Sequence, residues 1–101
     1  MRLRHKFNAV RTELDGIKFS SKKESKRYQE LGRLKELGQV VFFLRQVPFH
    51  LKGGVKYVCD FVVFWSNADV TIEDVKGMKT ATYKAKKKMV EATYPIKITE
   101  I

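Results

Sequence analysis

The stretch that decides the fold is Tyr57 to Gly77, which reads Y-V-C-D-F-V-V-F-W-S-N-A-D-V-T-I-E-D-V-K-G. Two runs rich in apolar and β-branched residues lie within and just before it, Val55 to Trp65 and Val70 to Val75. The polar segment Ser66 to Asp69 between them is typical of a turn. The pattern therefore predicts a β-hairpin.

Each strand of this predicted hairpin carries an acid where an apolar residue is expected. Asp60 interrupts the first run and Asp74 the second, and Lys76 follows two residues later. Because side chains alternate along a strand, Asp74 and Lys76 should point to one face and Glu73 to the other. Burying an unpaired charge is costly, so these acids need partners. Two carboxylates and an ammonium at the ends of paired strands favour a Mg²⁺ or Mn²⁺ site beside a phosphate.

The order Asp60, then Asp74-Val75-Lys76, resembles the D…(D/E)-x-K signature of the PD-(D/E)xK nuclease superfamily. Glu24, on a predicted helix upstream, stands where many members have a further acidic ligand. The chain departs from the signature at Cys59, which replaces the usual proline, and at Asp74, where Glu is commoner. The chain is most similar to the small Holliday-junction resolvases and endonucleases of phages and archaea.

This resemblance implies an α/β fold with a restriction-endonuclease-like core, in the order αβββαβ, whose mixed and largely antiparallel sheet is flanked by helices. It implies a Mg²⁺-dependent DNA endonuclease, with Mn²⁺ able to substitute, in which Asp60, Asp74 and Glu24 bind the metal. Lys76 would act on the attacking water or stabilise the phosphate, and both roles remain open. The resemblance also implies branched DNA as the substrate, and a phage or prokaryotic origin.

The charge of the chain supports a nucleic-acid partner. It has 101 residues, with 21 Lys and Arg against 11 Asp and Glu, and a formal net charge of +10. This length predicts one domain, and so large a positive charge favours a polyanion. No membrane anchor or signal sequence is recognisable, and a single cysteine excludes an internal disulfide. We therefore expect no membrane partner and a cytoplasmic location, in a prokaryote or a phage-infected cell.

Two basic segments are candidate DNA contacts. Residues 1–18 are predicted to form a basic N-terminal arm that either lies along a phosphate backbone or is a solvated tail; its predicted DNA-binding residues are Arg2, Arg4 and Lys6. Asp15-Gly16 indicates a turn, followed by a short strand or turn near Ile17 to Phe19. The second segment is a predicted helix of roughly Ala81 to Ala92, capped by Thr80. Its predicted DNA-binding residues, with the lysine just before it, are Lys79, Lys84, Lys86, Lys87 and Lys88.

The first predicted helix runs from Ser20 or Ser21 to about Leu37 and carries one apolar stripe. Glu24 falls on the stripe, where it could reach the hairpin. Ser21-x-x-Glu24 is also a capping box, in which the carboxylate would return to the cap amide instead of a metal. Between this helix and the hairpin, residues 40–51 predict a strand that bends or breaks around Arg45 to Pro48.

Two functions from different classes follow. The first is the metal-dependent endonuclease; because two symmetric cuts need two sites, it is expected to be a homodimer joined through the first helix or the sheet edge. The alternative is a non-catalytic basic nucleic-acid-binding protein whose acids only pair with lysines. A ribonuclease or a restriction-type nuclease would share the site of the first function and differ in substrate.

Overall fold

The computed structural model of the protein describes residues 12–101. A short hairpin, β1 and β2, comes first, and a helix, three strands, a second helix and a last strand follow. A 3₁₀ turn at Lys52–Gly54 joins the first two of the three strands. The elements are β1 (Thr12–Leu14), β2 (Ile17–Phe19), α1 (Lys22–Glu36), β3 (Val40–His50), β4 (Lys56–Trp65), β5 (Val70–Asp74), α2 (Ala81–Thr93) and β6 (Ile98–Glu100).

The main sheet has four strands in the order β3-β4-β5-β6. The β3–β4 and β4–β5 pairs are antiparallel, and β5–β6 is parallel. The predicted α/β class with a mixed, largely antiparallel sheet and two helices is confirmed. Among residues 12–101, no helix is long and apolar enough to cross a membrane.

The β1–β2 hairpin overlaps the end of the segment predicted as a basic arm, and β2 lies where the sequence indicated a short strand or turn. Phe19, which ends the hairpin, is buried; its ring centroid lies 5.1 Å from that of Tyr28, and the Arg45 guanidinium lies 4.6 Å from its centroid. Phe19 thus packs the end of the hairpin against α1 and β3, whereas residues 13–18 are exposed or half-buried. Arg2, Arg4 and Lys6 lie outside the described residues.

Both helices begin where the capping residues predicted. The Ser21 hydroxyl accepts a hydrogen bond from the Glu24 amide at the start of α1, and Thr80 accepts one from the Tyr83 amide at the start of α2. Each such bond satisfies an amide that has no partner within the helix. At the other end of α1, Leu37 is exposed and does not extend the apolar stripe.

The helices cover opposite faces of the sheet. Leu31 of α1 packs with Val63 of β4, whereas Val90 of α2 packs with the neighbouring Val62. Because adjacent strand residues point to opposite faces, the sheet separates two apolar cores. The α2-side core also contains Ile98 of β6, which fixes the parallel edge strand.

In both β3 and β4, the alternation of side chains between the two faces of the sheet is interrupted midway along the strand. Phe43 packs in the α1-side core but Val47 in the α2-side core; Phe61 and Cys59 differ in the same way. Residues an even number apart share a face in a regular strand. Each strand is therefore irregular between these positions, and this irregularity lies next to the predicted site.

Candidate active site

Asp60 and Asp74 meet where β4 and β5 separate. The regular ladder between these strands ends at Phe61 and Glu73. Beyond it, Asp74 Oδ1 accepts a hydrogen bond from the Asp60 amide at 3.2 Å, and Asp60 Oδ2 accepts one from the Val75 amide at 2.8 Å. Each carboxylate thus bonds to the backbone of the other strand, which holds the two acids side by side.

Asp74 is fully buried, with 0% of its surface exposed, and its Oδ2 has no hydrogen-bond partner among the described residues. The pKa of this carboxyl is raised to about 6, mainly by burial; Lys76 and the Asp60 amide lower the pKa, and the nearby Glu100 and Glu24 charges raise it. A buried carboxylate with a free oxygen is costly unless it takes up a proton or a cation. Asp74 is therefore poised to do either.

Lys76 lies beside Asp74 and above the first turn of α2. Its charge lowers the Asp74 pKa, and its Nζ is 4.9 Å from the centroid of the Tyr83 ring. An ammonium over an aromatic face is stabilised by the ring electrons. The structure thus brings Asp60, Asp74 and Lys76 to one place.

Glu24 is buried beneath the start of α1, with its carboxylate directed at β3. It accepts hydrogen bonds from Ser20 Oγ at 3.1 Å, Gln46 Nε2 at 3.0 Å and an Arg45 guanidinium nitrogen at 3.4 Å. Only one half of the capping box is present, the bond from the Glu24 amide to Ser21. The carboxylate faces the site instead of the cap amide.

Gln46 is the residue that sequence reasoning missed. Its Nε2 donates to Asp60 Oδ1 at 3.2 Å as well as to Glu24, so one amide joins the two carboxylates. Its φ of 52° is in the left-handed region, which is unusual for Gln. It lies opposite Asp60 in the ladder, between the Arg45–Phe61 and Val47–Cys59 pairs. The predicted bend around Arg45 to Pro48 was the only sequence signal for it.

The three predicted metal ligands do not form a complete metal site in this conformation. Within residues 12–101, no group of three His, Cys, Asp or Glu side chains is arranged to hold an ion. Asp60 and Asp74 are adjacent, but the Gln46 amide connects Glu24 to Asp60. An uncharged donor thus occupies the place between two acids where a cation would be attractive.

Glu100 of β6 binds two of the lysines predicted to contact DNA. Lys79 Nζ lies 2.8 Å from one carboxylate oxygen and Lys87 Nζ 3.2 Å from the other, which also accepts a 2.8 Å bond from the Tyr83 hydroxyl. Hydrogen bonds from Lys79 and Tyr83 are the main reasons why the Glu100 pKa falls to about 2. These two lysines are partly neutralised.

The remaining lysines of the predicted cluster lie on α2. In the described part of the chain none of them is within 4.0 Å of a carboxylate oxygen, in contrast to Lys79 and Lys87. Lys84 and Lys88 are exposed, and Lys86 is half-buried.

Cys59 is a buried core residue, as its sequence context predicted. It has no exposed surface, and burial raises the pKa of its thiol to about 11. A thiol of this kind is not a nucleophile at neutral pH.

Comparison with protein families gives one match, to a family described as "Protein of unknown function (DUF1064)", over residues 4–101. Comparison with curated proteins finds no match. Since the family match spans nearly the whole chain, this protein belongs to the DUF1064 family.

Proposed function

We propose that this protein is a metal-dependent endonuclease that hydrolyses phosphodiester bonds in DNA, on a restriction-endonuclease-like core. The observation that carries the proposal is the pairing of Asp60 and Asp74 where the β4–β5 ladder ends, with Lys76 beside them. Buried polar atoms normally have a hydrogen-bond partner, and a purely structural role for Asp74 would not explain why its Oδ2 has none among the described residues.

The donor atoms of the site fit a hard divalent cation. Asp60 and Asp74 would hold Mg²⁺ or Mn²⁺. The cation would then bind Asp74 Oδ2, which has no hydrogen-bond partner among the described residues. Such an ion would lower the pKa of a bound water and neutralise charge on the phosphate. Glu24 would join these ligands once the Gln46 amide releases it.

Lys76 is placed to stabilise negative charge on the reacting phosphate. Its ammonium is held over Tyr83 and beside Asp74, on the side of the sheet that carries α2. A fixed cation next to the charge that develops in the transition state lowers the barrier to reaction. This position favours charge stabilisation over proton abstraction as its role.

The resemblance extends the proposal to branched DNA and to a resolvase-like homodimer. The free edge of the main sheet supports the sheet edge as the interface, because β3 ends the strand order and Val41, Phe42 and Leu44 on it are exposed. Sedimentation should give the mass of two chains. The mass of one chain, both alone and with DNA, would refute the dimer.

A second candidate is the non-catalytic nucleic-acid-binding protein. The Gln46 amide favours it, since it satisfies Glu24 and Asp60 without any metal. In that case Asp60 and Asp74 would serve only to join the strands.

A cleavage assay separates the two functions. Labelled four-way junction, fork, linear duplex and single-stranded DNA are incubated with Mg²⁺, with Mn²⁺ and with chelator. The variants are Asp74→Asn and Lys76→Ala, and Asp69→Asn in the exposed β4–β5 turn is the matched control. We expect metal-dependent cutting that falls ~100-fold or more in the two site variants only.

The outcomes differ in what they establish. Cutting that prefers the junction supports a resolvase, and equal cutting of every substrate keeps the nuclease but removes the preference. Tight binding without cutting under either metal would move the protein to the non-catalytic class. Normal cutting by Asp74→Asn would show that the site assignment is wrong.

A further inference from the structure

We infer a phosphate-binding pocket beside the candidate active site, between the start of β4 and the first turn of α2. It is a groove of about 430 Å³. The inference extends the proposed function and rests only on its nucleic-acid part, not on cleavage. The residues that define it are Lys56, Tyr57, Lys76, Thr80, Thr82 and Lys86.

The charge of the groove suits an anion. Three lysines line it and no acid does. In the part of the chain that the structure describes, none of these lysines is within 4.0 Å of a carboxylate oxygen, although Lys76 lies near Asp74. The other lysine-rich groove on α2 is different, because Glu91 and Glu100 line it as well. Of these two grooves, the first has cations without acids.

The first turn of α2 borders this groove through Thr80 and Thr82. The Thr80 hydroxyl satisfies the Tyr83 amide, and the Thr80 carbonyl accepts from the Lys84 amide. The Ala81 and Thr82 amides come before these and have no partner within the helix. The helix dipole places partial positive charge at this end, which favours a bound anion.

Tyr57 is the independent sign that a ligand belongs here. It lines the groove with only 3% of its surface exposed, and its hydroxyl has no hydrogen-bond partner in the described structure. Buried tyrosine hydroxyls are normally paired. The hydroxyl oxygen is itself buried, so a phosphate oxygen that enters the groove far enough to reach it would accept this hydrogen bond and remove the cost of the unpaired group.

Lys76 belongs both to the groove and to the candidate active site. A phosphate held in the groove would therefore lie next to the phosphate that is cut. Two sources share this chemistry: a terminal phosphate monoester, and a backbone phosphodiester that flanks the reacting one. In either case the groove would set where along the strand the reacting phosphate is placed.

Binding without cleavage tests the pocket. Fluorescence anisotropy is measured in chelator, with oligonucleotides that carry a 5′-phosphate, a 3′-phosphate or no terminal phosphate. The variants are Lys86→Ala and Tyr57→Phe. The matched control is Lys84→Ala, which removes the same charge from the same helix outside the groove. We expect both pocket variants to bind about fivefold to tenfold more weakly than wild type, and the control about twofold.

Comparing the three oligonucleotides shows whether the pocket binds a terminal phosphate monoester or a backbone phosphodiester. A gain in affinity from a 5′- or 3′-phosphate that disappears in Lys86→Ala assigns a terminal monoester. Weaker binding of all three oligonucleotides assigns a backbone diester. Equal losses in Lys86→Ala and Lys84→Ala, or unchanged affinity in a folded Tyr57→Phe variant, would overturn the pocket. Because no cutting is measured, a failure of this inference is separate from a failure of the nuclease proposal.

Discussion

Asp74 ties the stability of the protein to pH. Its pKa is raised to about 6 by burial, above the ordinary value of about 3.9 in an unfolded chain. The folded state thus holds the proton more tightly, and stability should fall as the pH rises from about 4 to about 6, then level off. We expect the free energy of unfolding to fall by about 2 kcal/mol between pH 4.5 and 7.5 because of Asp74 alone.

Urea unfolding of wild type and Asp74→Asn at these two pH values measures this loss. The variant mimics the protonated carboxyl and should not show it, whereas Asp69→Asn, in an exposed turn, should behave like wild type. The difference between variant and wild type removes the contribution of other acids. Identical changes with pH in wild type and Asp74→Asn would contradict the burial argument.

Gln46 has two separable roles, a strained backbone and a bridging amide. Its positive φ costs about 1 kcal/mol in a residue with a Cβ, and Gly avoids that cost. Both Gln46→Ala and Gln46→Gly lose the amide between Glu24 and Asp60. We therefore expect Gln46→Gly to be more stable than Gln46→Ala by about 1 kcal/mol.

Gln46→Glu tests the amide itself. A third carboxylate beside Glu24 and Asp60 should destabilise the metal-free protein through repulsion and increase its stabilisation by Mn²⁺. Thermal unfolding with and without Mn²⁺ measures both effects. If Mn²⁺ stabilises wild type and Gln46→Glu equally, Gln46 is not next to a cation site.

Sequence reasoning found the acids but not the amide, for a physical reason. Asp60 and Asp74 stand out because a charge in an apolar strand needs a partner. The role of Gln46 depends on a left-handed backbone and on the approach of Glu24 from a helix 22 residues earlier in sequence. Neither has a local pattern, since a polar residue in an edge strand is ordinary.

Among the elements, β5 and α1 are joined by a buried ion pair. Two Arg27 guanidinium nitrogens donate to the two Glu73 carboxylate oxygens, each at 2.8 Å. The Glu73 side chain is 2% exposed and that of Arg27 16%. Alternation along β5 correctly predicted that Glu73 points away from Asp74, but not which residue it meets. A bidentate buried pair of this kind fixes the register of α1 on the sheet.

Breaking this pair on one side should be costly. Arg27→Met leaves the Glu73 charge buried, and we expect a loss of about 3 kcal/mol in the free energy of unfolding. The double variant with Glu73→Leu should lose less than Arg27→Met alone, because no charge is left unpaired. Arg33→Met, exposed on the same helix, should change stability by no more than about 0.5 kcal/mol. A double variant less stable than the single one would mean that packing, not charge, holds the helix.

The helices and the β4–β5 hairpin were predictable because each has a local signal. Ser21 and Thr80 cap the helices, and a polar turn separates the two apolar strands. Of the β1–β2 hairpin, the sequence indicated only the turn at Asp15-Gly16 and a short strand or turn near Ile17 to Phe19, because strands of three residues are too short to show a period. Its stability comes from Phe19 packing against Tyr28, a contact that sequence spacing does not reveal.

At the scale of the whole molecule, net charge controls the binding of nucleic acid. A charge of +10 on 101 residues should make that binding mostly electrostatic, with release of counterions from the phosphates. About six phosphate contacts would lower affinity about a thousandfold between 50 and 200 mM salt. Anisotropy in chelator across this range gives the slope of log affinity against log salt.

Two single-lysine variants show whether these contacts are local. Lys86→Ala should reduce the slope by about one, because Lys86 has no acid partner within residues 12–101 and would contact a phosphate. Lys79→Ala removes an equal charge, but Lys79 is paired with Glu100 at 2.8 Å, so its slope should stay near that of wild type. Equal reductions in both variants would mean that net charge, not the arrangement of individual lysines, sets the salt dependence. Affinity that does not change with salt would remove phosphate contact as the basis of binding.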